Sequence, residues 1–179
     1  MLRYYFRQRY SIADGVNIVF DDDFQAKYIV SGQSGKKHDE LQVQDMCGNV
    51  LVRIEQTSYG ILPRFILKYR NHTVGSISLT FGHLGDIVYV RHLGWLISGN
   101  FMVGRYLITH NTKKLLSVKP EIRSDGIYNQ LNITFESQTP VLIAIAALLD
   151  IWGTKSHMLF KFKWLPNQNN RYKLTYGHK

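Results

Sequence analysis

The sequence predicts a mainly β protein: a closed antiparallel β-barrel around a central, C-terminal α-helix. Two observations predict it. Residues 139 to 153, TPVLIAIAALLDIWG, read as one helix with apolar side chains on every face and Asp150 as its only charge. A surface helix keeps a polar stripe, so a helix without one must be enclosed. The chain before it reads as a succession of β-hairpins, short apolar or alternating runs separated by polar turns. Many antiparallel strands have edges to hide, and closure into a barrel removes them. A barrel wrapped around the helix meets both demands at once.

The hairpins follow in order. Val16 to Phe20 leads into Asp21-Asp22-Asp23 and out through Ala26 to Val30. Leu41 to Gln44 leads into Asp45-Met46-Cys47-Gly48-Asn49, then Val50 to Ile54. Arg64 to Tyr69 turns at Asn71-His72 and returns as Val74 to Leu79. Ile87 to Arg91 is a further strand, and Arg105 to Thr109 turns at Asn111-Thr112-Lys113 into Leu115 to Val118. Tyr128 to Phe135 is the last strand before the helix. The unit recurs at roughly 20–25 residues, a weak structural repeat without matching residues. Gly94, Gly99 and Gly104 interrupt an apolar stretch and are read as barrel corners, because glycine within strands marks bends or close backbone approach. For the helix, Thr139 is expected to cap the start, Pro140 to occupy the first position, and Gly153 to end it at C′.

Composition sets further bounds. The 179 residues fit one domain, and 45% hydrophobic with 20% charged residues is a folded composition. The single cysteine, Cys47, excludes an intramolecular disulfide and fits a reducing compartment. The N-terminus, MLRYYFRQRY, lacks the apolar run of a secretory signal, and no segment reaches the roughly 18 apolar residues of a transmembrane helix. The expected location is therefore cytoplasmic, with peripheral membrane attachment as the further expectation.

The net charge of +9 is unevenly placed. Lys155, Lys161, Lys163, Arg171, Lys173 and Lys179 follow Asp150 with no acidic residue among them. The chain thus divides into a barrel domain, 1–153, and a basic aromatic extension, 154–179. In that extension Phe160, Phe162 and Trp164 alternate with Lys161 and Lys163. On a strand, alternation puts rings on one face and charges on the other. Rings with cations suit a membrane interface, or single-stranded nucleic acid, or an amphipathic strand docked on the barrel. Lys155, Lys161, Lys163, Trp164, Arg171 and Lys173 are the expected contacts to an anionic surface.

Other chemistry finds little footing. Asp21-Asp22-Asp23 offers carboxylates to calcium but lacks an EF-hand spacing, and an acidic turn is the better reading. His83 and His92 are the closest histidines, nine residues apart, and no HExxH or Cys/His cluster exists. Cys47 has no nearby base in sequence. The glycines of Gly99-Asn-Phe-Met-Val-Gly104 have P-loop spacing, but Arg105 and Tyr106 stand where Lys and Ser/Thr are required. No paired carboxylates and no Ser-His-Asp order point to hydrolysis. No cofactor or metal is expected.

The segments YYFRQRYSIADGVNIVFDDDFQAKYIVSG, LQVQDMCGNVLVRIEQ, ILPRFILKYRNHTVGSI and GNFMVGRYLITHNTKKLLSVKPE, followed by the apolar helix, resemble the LURP-one-related proteins and their bacterial relatives of the YxjI type, which share the Tubby C-terminal fold. The likeness runs in order over residues 3–153. It implies a barrel of about twelve strands around the helix. The wider fold includes phosphoinositide-binding tubby proteins and phospholipid scramblases, but their lipid-binding residues do not map onto positions here. Two departures stand out: residues 154–179 fall outside the pattern, and the turn at Asn71-His72 lacks the acidic–glycine character of the other units. The resulting expectation is a non-enzymatic binding or tethering module at an anionic membrane surface, its partners anionic phospholipid headgroups and an unidentified protein. A nucleic-acid-associated regulatory protein and an enzyme with a site invisible in sequence are the alternatives.

Overall fold

The computed structural model describes residues 1–8, 15–33, 37–58, 63–79 and 86–163, giving the backbone alone for Asp86, Met102 and 154–163. Twelve strands precede one helix: β1 (Leu2–Arg7), β2 (Val16–Asp21), β3 (Ala26–Gly32), β4 (Glu40–Asp45), β5 (Val50–Gln56), β6 (Arg64–Tyr69), β7 (His72–Ser78), β8 (Asp86–Arg91), β9 (Trp95–Asn100), β10 (Arg105–His110), β11 (Lys113–Arg123), β12 (Gly126–Ile133) and α1 (Thr139–Lys163). Each strand pairs with its sequence neighbours, and β1 pairs with β12 to close the barrel. Every pairing is antiparallel. Antiparallel closure needs an even number of strands, because up and down must alternate round the ring.

Period-two alternation decides which side chains face inward. Val88 and Val90 are buried while Ile87 and Tyr89 are exposed; Trp95 and Ile97 are buried while Leu96 is exposed. One core cluster takes side chains from all twelve strands and from α1. Val141 through Leu149 and Ile151 are buried, as the absence of a polar face requires. The helix packs against β4, β5, β12 and the 3-10 turn Phe101–Val103.

Ten of the strands follow the sequence reading; β1 and β9 were not anticipated. In β1 the run LRYYFR reads as a basic aromatic end, but Tyr4 and Phe6 enter the core. In β9 the run is too short and too interrupted by glycine to show its alternation. The three glycines there have separate tasks. At Gly99 (φ 138°) a Cβ would lie 2.5 Å from the Arg105 carbonyl oxygen, so only glycine allows β9 to approach β10 this closely. Gly104, left-handed at φ 66°, closes the 3-10 turn Phe101–Val103. Gly94 sits in the β8–β9 turn.

The helix ends differ from expectation. A 3-10 turn, Glu136–Gln138, feeds directly into α1, so Thr139 already has helical dihedrals (φ −51°, ψ −51°) and cannot cap. Its Oγ1 is buried with no hydrogen-bond partner among the described residues. Pro140 lies in the first turn, where its missing N–H costs nothing. Gly153 does not end the helix, which runs on to Lys163. Glycine costs a helix only about 1 kcal/mol relative to alanine, while the next proline in the sequence is Pro166. Phe160, Lys161, Phe162 and Lys163 therefore lie on a helix and not on a strand, and the sequence division at 153 falls inside α1.

Where β1 and β12 meet, the outer face carries an aromatic cluster. The Tyr5 and Phe24 rings stack at 6.0 Å and 7°. The Arg123 guanidinium lies 4.3 Å from the Tyr5 centroid, 4.2 Å from that of Phe24 and 5.4 Å from that of Tyr128. Glu121 accepts from Arg123 Nε at 2.8 Å. Tyr5 donates to Asp22 (3.0 Å), Tyr128 to Asp125 (2.6 Å), and Arg7 donates to the Asp125 carbonyl. Phe24 holds a left-handed backbone (φ 59°), unfavourable for a side chain with a Cβ, and the stack with Tyr5 and Arg123 offsets that cost.

Two outcomes check these assignments. Ala144, 1% exposed, leaves no room or partner for a carboxylate, so Ala144→Asp is expected to cost at least about 3 kcal/mol in chemical denaturation. Arg123→Ala removes the guanidinium from three rings at the closing seam and is expected to cost about 1–2 kcal/mol by the same measurement.

Candidate functional site

A polar cluster lies where α1 meets β12. Asp150, the only charge among helix residues 139–153, accepts from Asn129 Nδ2 at 2.8 Å. Asn129 Oδ1 in turn accepts from Gln8 Nε2 at 3.0 Å. β12 supplies Asn129 on the same inward face as Leu131 and Ile133, so its amide reaches the helix only because α1 lies against that strand. Tyr106, buried on β10, donates to the Ala146 carbonyl at 3.5 Å. Burial first, and the nearby Asp150 charge second, push its hydroxyl well above the usual tyrosine range. It therefore stays protonated and acts as a donor, not as a base.

Beside this cluster lies a cavity of about 20 Å³ lined in part by Phe6, Asn17, Ala147, Asp150 and Ile151. That is room for about one water molecule. The polar chain Gln8–Asn129–Asp150 thus fixes α1 to β12. Among the described residues no three His, Cys, Asp or Glu side chains are grouped to hold a metal ion.

The acidic turns have a different use. Asp21 Oδ1 accepts from the backbone N–H groups of Asp23 (3.0 Å) and Gln25 (2.9 Å). Asp45 Oδ1 accepts from those of Cys47 (2.9 Å) and Asn49 (2.9 Å). In both loops the fourth residue is left-handed, Phe24 at 59° and Gly48 at 86°. The two hairpin turns are the same device, in which a carboxylate satisfies the loop's own donors. Cys47 is exposed at the tip of the second. Of the closest histidine pair, His92 lies in the β8–β9 turn and His83 is outside the described residues.

The expected anionic-surface contacts are only partly described. Lys155, Lys161 and Lys163 lie on the C-terminal part of α1; Trp164, Arg171 and Lys173 lie outside the described residues. In the basic aromatic N-terminus Tyr4, Tyr5 and Phe6 are buried, and Tyr10 lies outside the described residues. The outer wall differs strongly from one sector to the next. Across β4, β5 and β6 two ion pairs lie on it, Arg53 with Glu40 at 2.8 Å and Lys68 with Glu55 at 3.1 Å, while the exposed Arg64 at the start of β6 has none with a described residue. Across β8 to β11 the exposed Arg91, Arg105, Lys113, Lys114 and Lys119 form no ion pair with a described residue. Sequence reasoning missed this second cationic surface. The signal was present as Lys113-Lys114 at a turn, but which strands bring Arg91 and Arg105 beside it depends on the register.

The architecture defines a class: a twelve-stranded up-and-down antiparallel barrel followed by a C-terminal helix. Over most of its length the chain is similar to YxjI, an uncharacterised protein of Bacillus subtilis strain 168, with 28% identity over 152 residues covering 84% of this chain and 93% of the relative. No protein-family model matches the chain, and no solved structure matches it significantly. No helix among the described residues is long and apolar enough to cross a membrane.

Asp45 gives this region a pH signature. The Asn49 side-chain amide first, then backbone N–H groups of the turn, hold its carboxyl below the usual aspartate range. A depressed folded value means stability that is present above the unfolded value, near pH 4, and lost as pH falls below it. Asp45→Asn is expected to melt below the parent at about pH 7, and the difference is expected to close by about pH 2 in a thermal-melt series.

Proposed function

We propose that this protein is a LURP-one-related, Tubby C-terminal-like tethering module without enzymatic activity, which works at an anionic membrane surface. The carrying observation is uncompensated positive charge: a net +9, with six cations and no acidic residue beyond Asp150. In this reading α1 runs along the barrel axis. A helix of 25 residues is about 37 Å long. Eleven of the strands have six to eight residues and, tilted as barrels require, rise roughly 15–20 Å; β11, with eleven residues, rises roughly 28 Å. An axial helix therefore extends beyond the rim and carries Lys155, Lys161 and Lys163 away from the barrel.

Each basic residue near an anionic leaflet contributes about 1 kcal/mol, fading within a Debye length. Three such contacts amount to about a hundredfold in partitioning. The expected result is sedimentation of the full chain with phosphatidylserine-containing vesicles, weakening as salt rises, and little with phosphatidylcholine alone. Lys161→Glu with Lys163→Glu is expected to weaken binding by at least about tenfold. Equal binding to both vesicle types, binding to neither, or preferential retention of single-stranded oligonucleotides would overturn the membrane reading.

A further inference from the structure

The wall formed by β8, β9 and β10 carries an apolar surface that the fold does not use. Tyr89 on β8 stands directly opposite Leu96 on β9. Ile87 on β8 and Leu107 on β10 flank Ser98 of β9 from its two sides. All four apolar side chains point outward, opposite the core residues Val88, Val90, Ile97 and Ile108, and are exposed by 61% (Ile87), 53% (Tyr89), 40% (Leu96) and 42% (Leu107). Directly opposed side chains on a sheet are about 5 Å apart and diagonal ones about 7–8 Å, so the four form one patch around Ser98.

The patch has a cationic border. Arg91 and, in the β10–β11 hairpin, Lys113 and Lys114 lie toward one rim, and Arg105 lies toward the other. All four are exposed and unpaired with any described residue. On β4, β5 and β6, by contrast, Arg53 and Lys68 are paired with Glu40 and Glu55, and Arg64 alone of the outward cations there has no described acidic partner.

We propose that this face docks flat on an anionic lipid bilayer. Ile87, Tyr89, Leu96 and Leu107 enter the headgroup layer, while Arg91, Arg105, Lys113 and Lys114 meet the phosphates around them. Charge complementarity selects this occupant. A second copy of the chain, face to face, would set the same four cations against one another, with Asp86 the only acidic residue in the sequences of β8, β9 and β10 to meet them. A nucleic acid would meet the cations but finds a single ring for stacking and three aliphatic side chains that give its bases nothing. An anionic bilayer answers both halves of the surface, since tyrosine and aliphatic groups partition into the interface and the cations are attracted to it. The inference rests on the membrane reading above and assigns it a second contact, on the barrel itself.

The test is sedimentation of full-length variants with phosphatidylcholine vesicles containing or lacking phosphatidylserine, with folding checked by circular dichroism. Tyr89→Ser with Leu96→Ser is expected to lower binding to the anionic vesicles at least about tenfold with an unchanged salt slope. Lys113→Glu with Lys114→Glu is expected to lower it at least about tenfold and to flatten the slope. A polarity-sensitive fluorophore on Leu96→Cys, in a Cys47→Ser background, is expected to shift to the blue with anionic vesicles; the same dye on Cys47 of the parent is not. Both wall variants binding like the parent while Lys161→Glu with Lys163→Glu does not would overturn the inference and leave the membrane reading standing. No binding by the parent would remove both. A concentration-dependent dimer of the parent that Leu96→Ser abolishes would assign the patch to self-association and overturn the inference, as would a blue shift at Cys47 equal to that at residue 96.

Discussion

A helix without a polar face sets the terms for this protein. Residues 141–149 have nowhere to present to water, so the strands must provide a continuous apolar lining. That demand explains why every strand contributes to one core cluster, and why inward positions run to valine, isoleucine, leucine and phenylalanine with so few exceptions. It also bears on how closely the helix is packed. A helix of small and branched residues, among them Ala144, Ala146 and Ala147, fits close to the strands, with a small cavity beside Ala147 and Asp150.

Closure is the second demand, and a local device meets it. All the other strand pairings join sequence neighbours through hairpins or short connections, but β1 meets β12 across almost the whole chain. There the outer face is reinforced by Tyr5, Phe24, Tyr128 and Arg123, with Asp22 and Asp125 accepting from the two tyrosine hydroxyls. A seam that long in sequence has the largest loop entropy to overcome, so stabilisation is most useful where it lies. Inside the seam, Asn129 reaches from β12 to Asp150 and ties the helix to the strand that closes the ring.

Function, in this picture, belongs to the exterior. The outer wall has three characters: two ion pairs beside a lone Arg64 across β4 to β6, aromatic and hydrogen-bonded at the seam, apolar and cationic across β8 to β11. The first two use most of their polar groups internally. The third leaves both its charge and its apolar area unspent, which is the physical content of the proposed docking face. The basic sequence beyond Asp150 adds charge of the same sign.

The sequence by itself determined the elements that depend on neighbours in the chain. Alternation located ten strands, since period two follows from backbone geometry alone, and the apolar run of 139–153 required burial because desolvation is a property of the side chains themselves. The turns at Asp21 and Asp45 were legible for the same reason: a carboxylate satisfying donors two and four residues ahead is a local event. Tertiary structure alone decided what depends on distant partners. Thr139 and Gly153 carry good capping chemistry, but a preceding 3-10 turn and the lack of a nearby proline extended the helix past both. LRYYFR reads as a charged end until β12 and β2 pair with it and draw Tyr4 and Phe6 inward. Ile87, Tyr89, Leu96 and Leu107 are scattered over three strands in sequence; only the hydrogen-bond register, which no local propensity fixes, gathers them on one face.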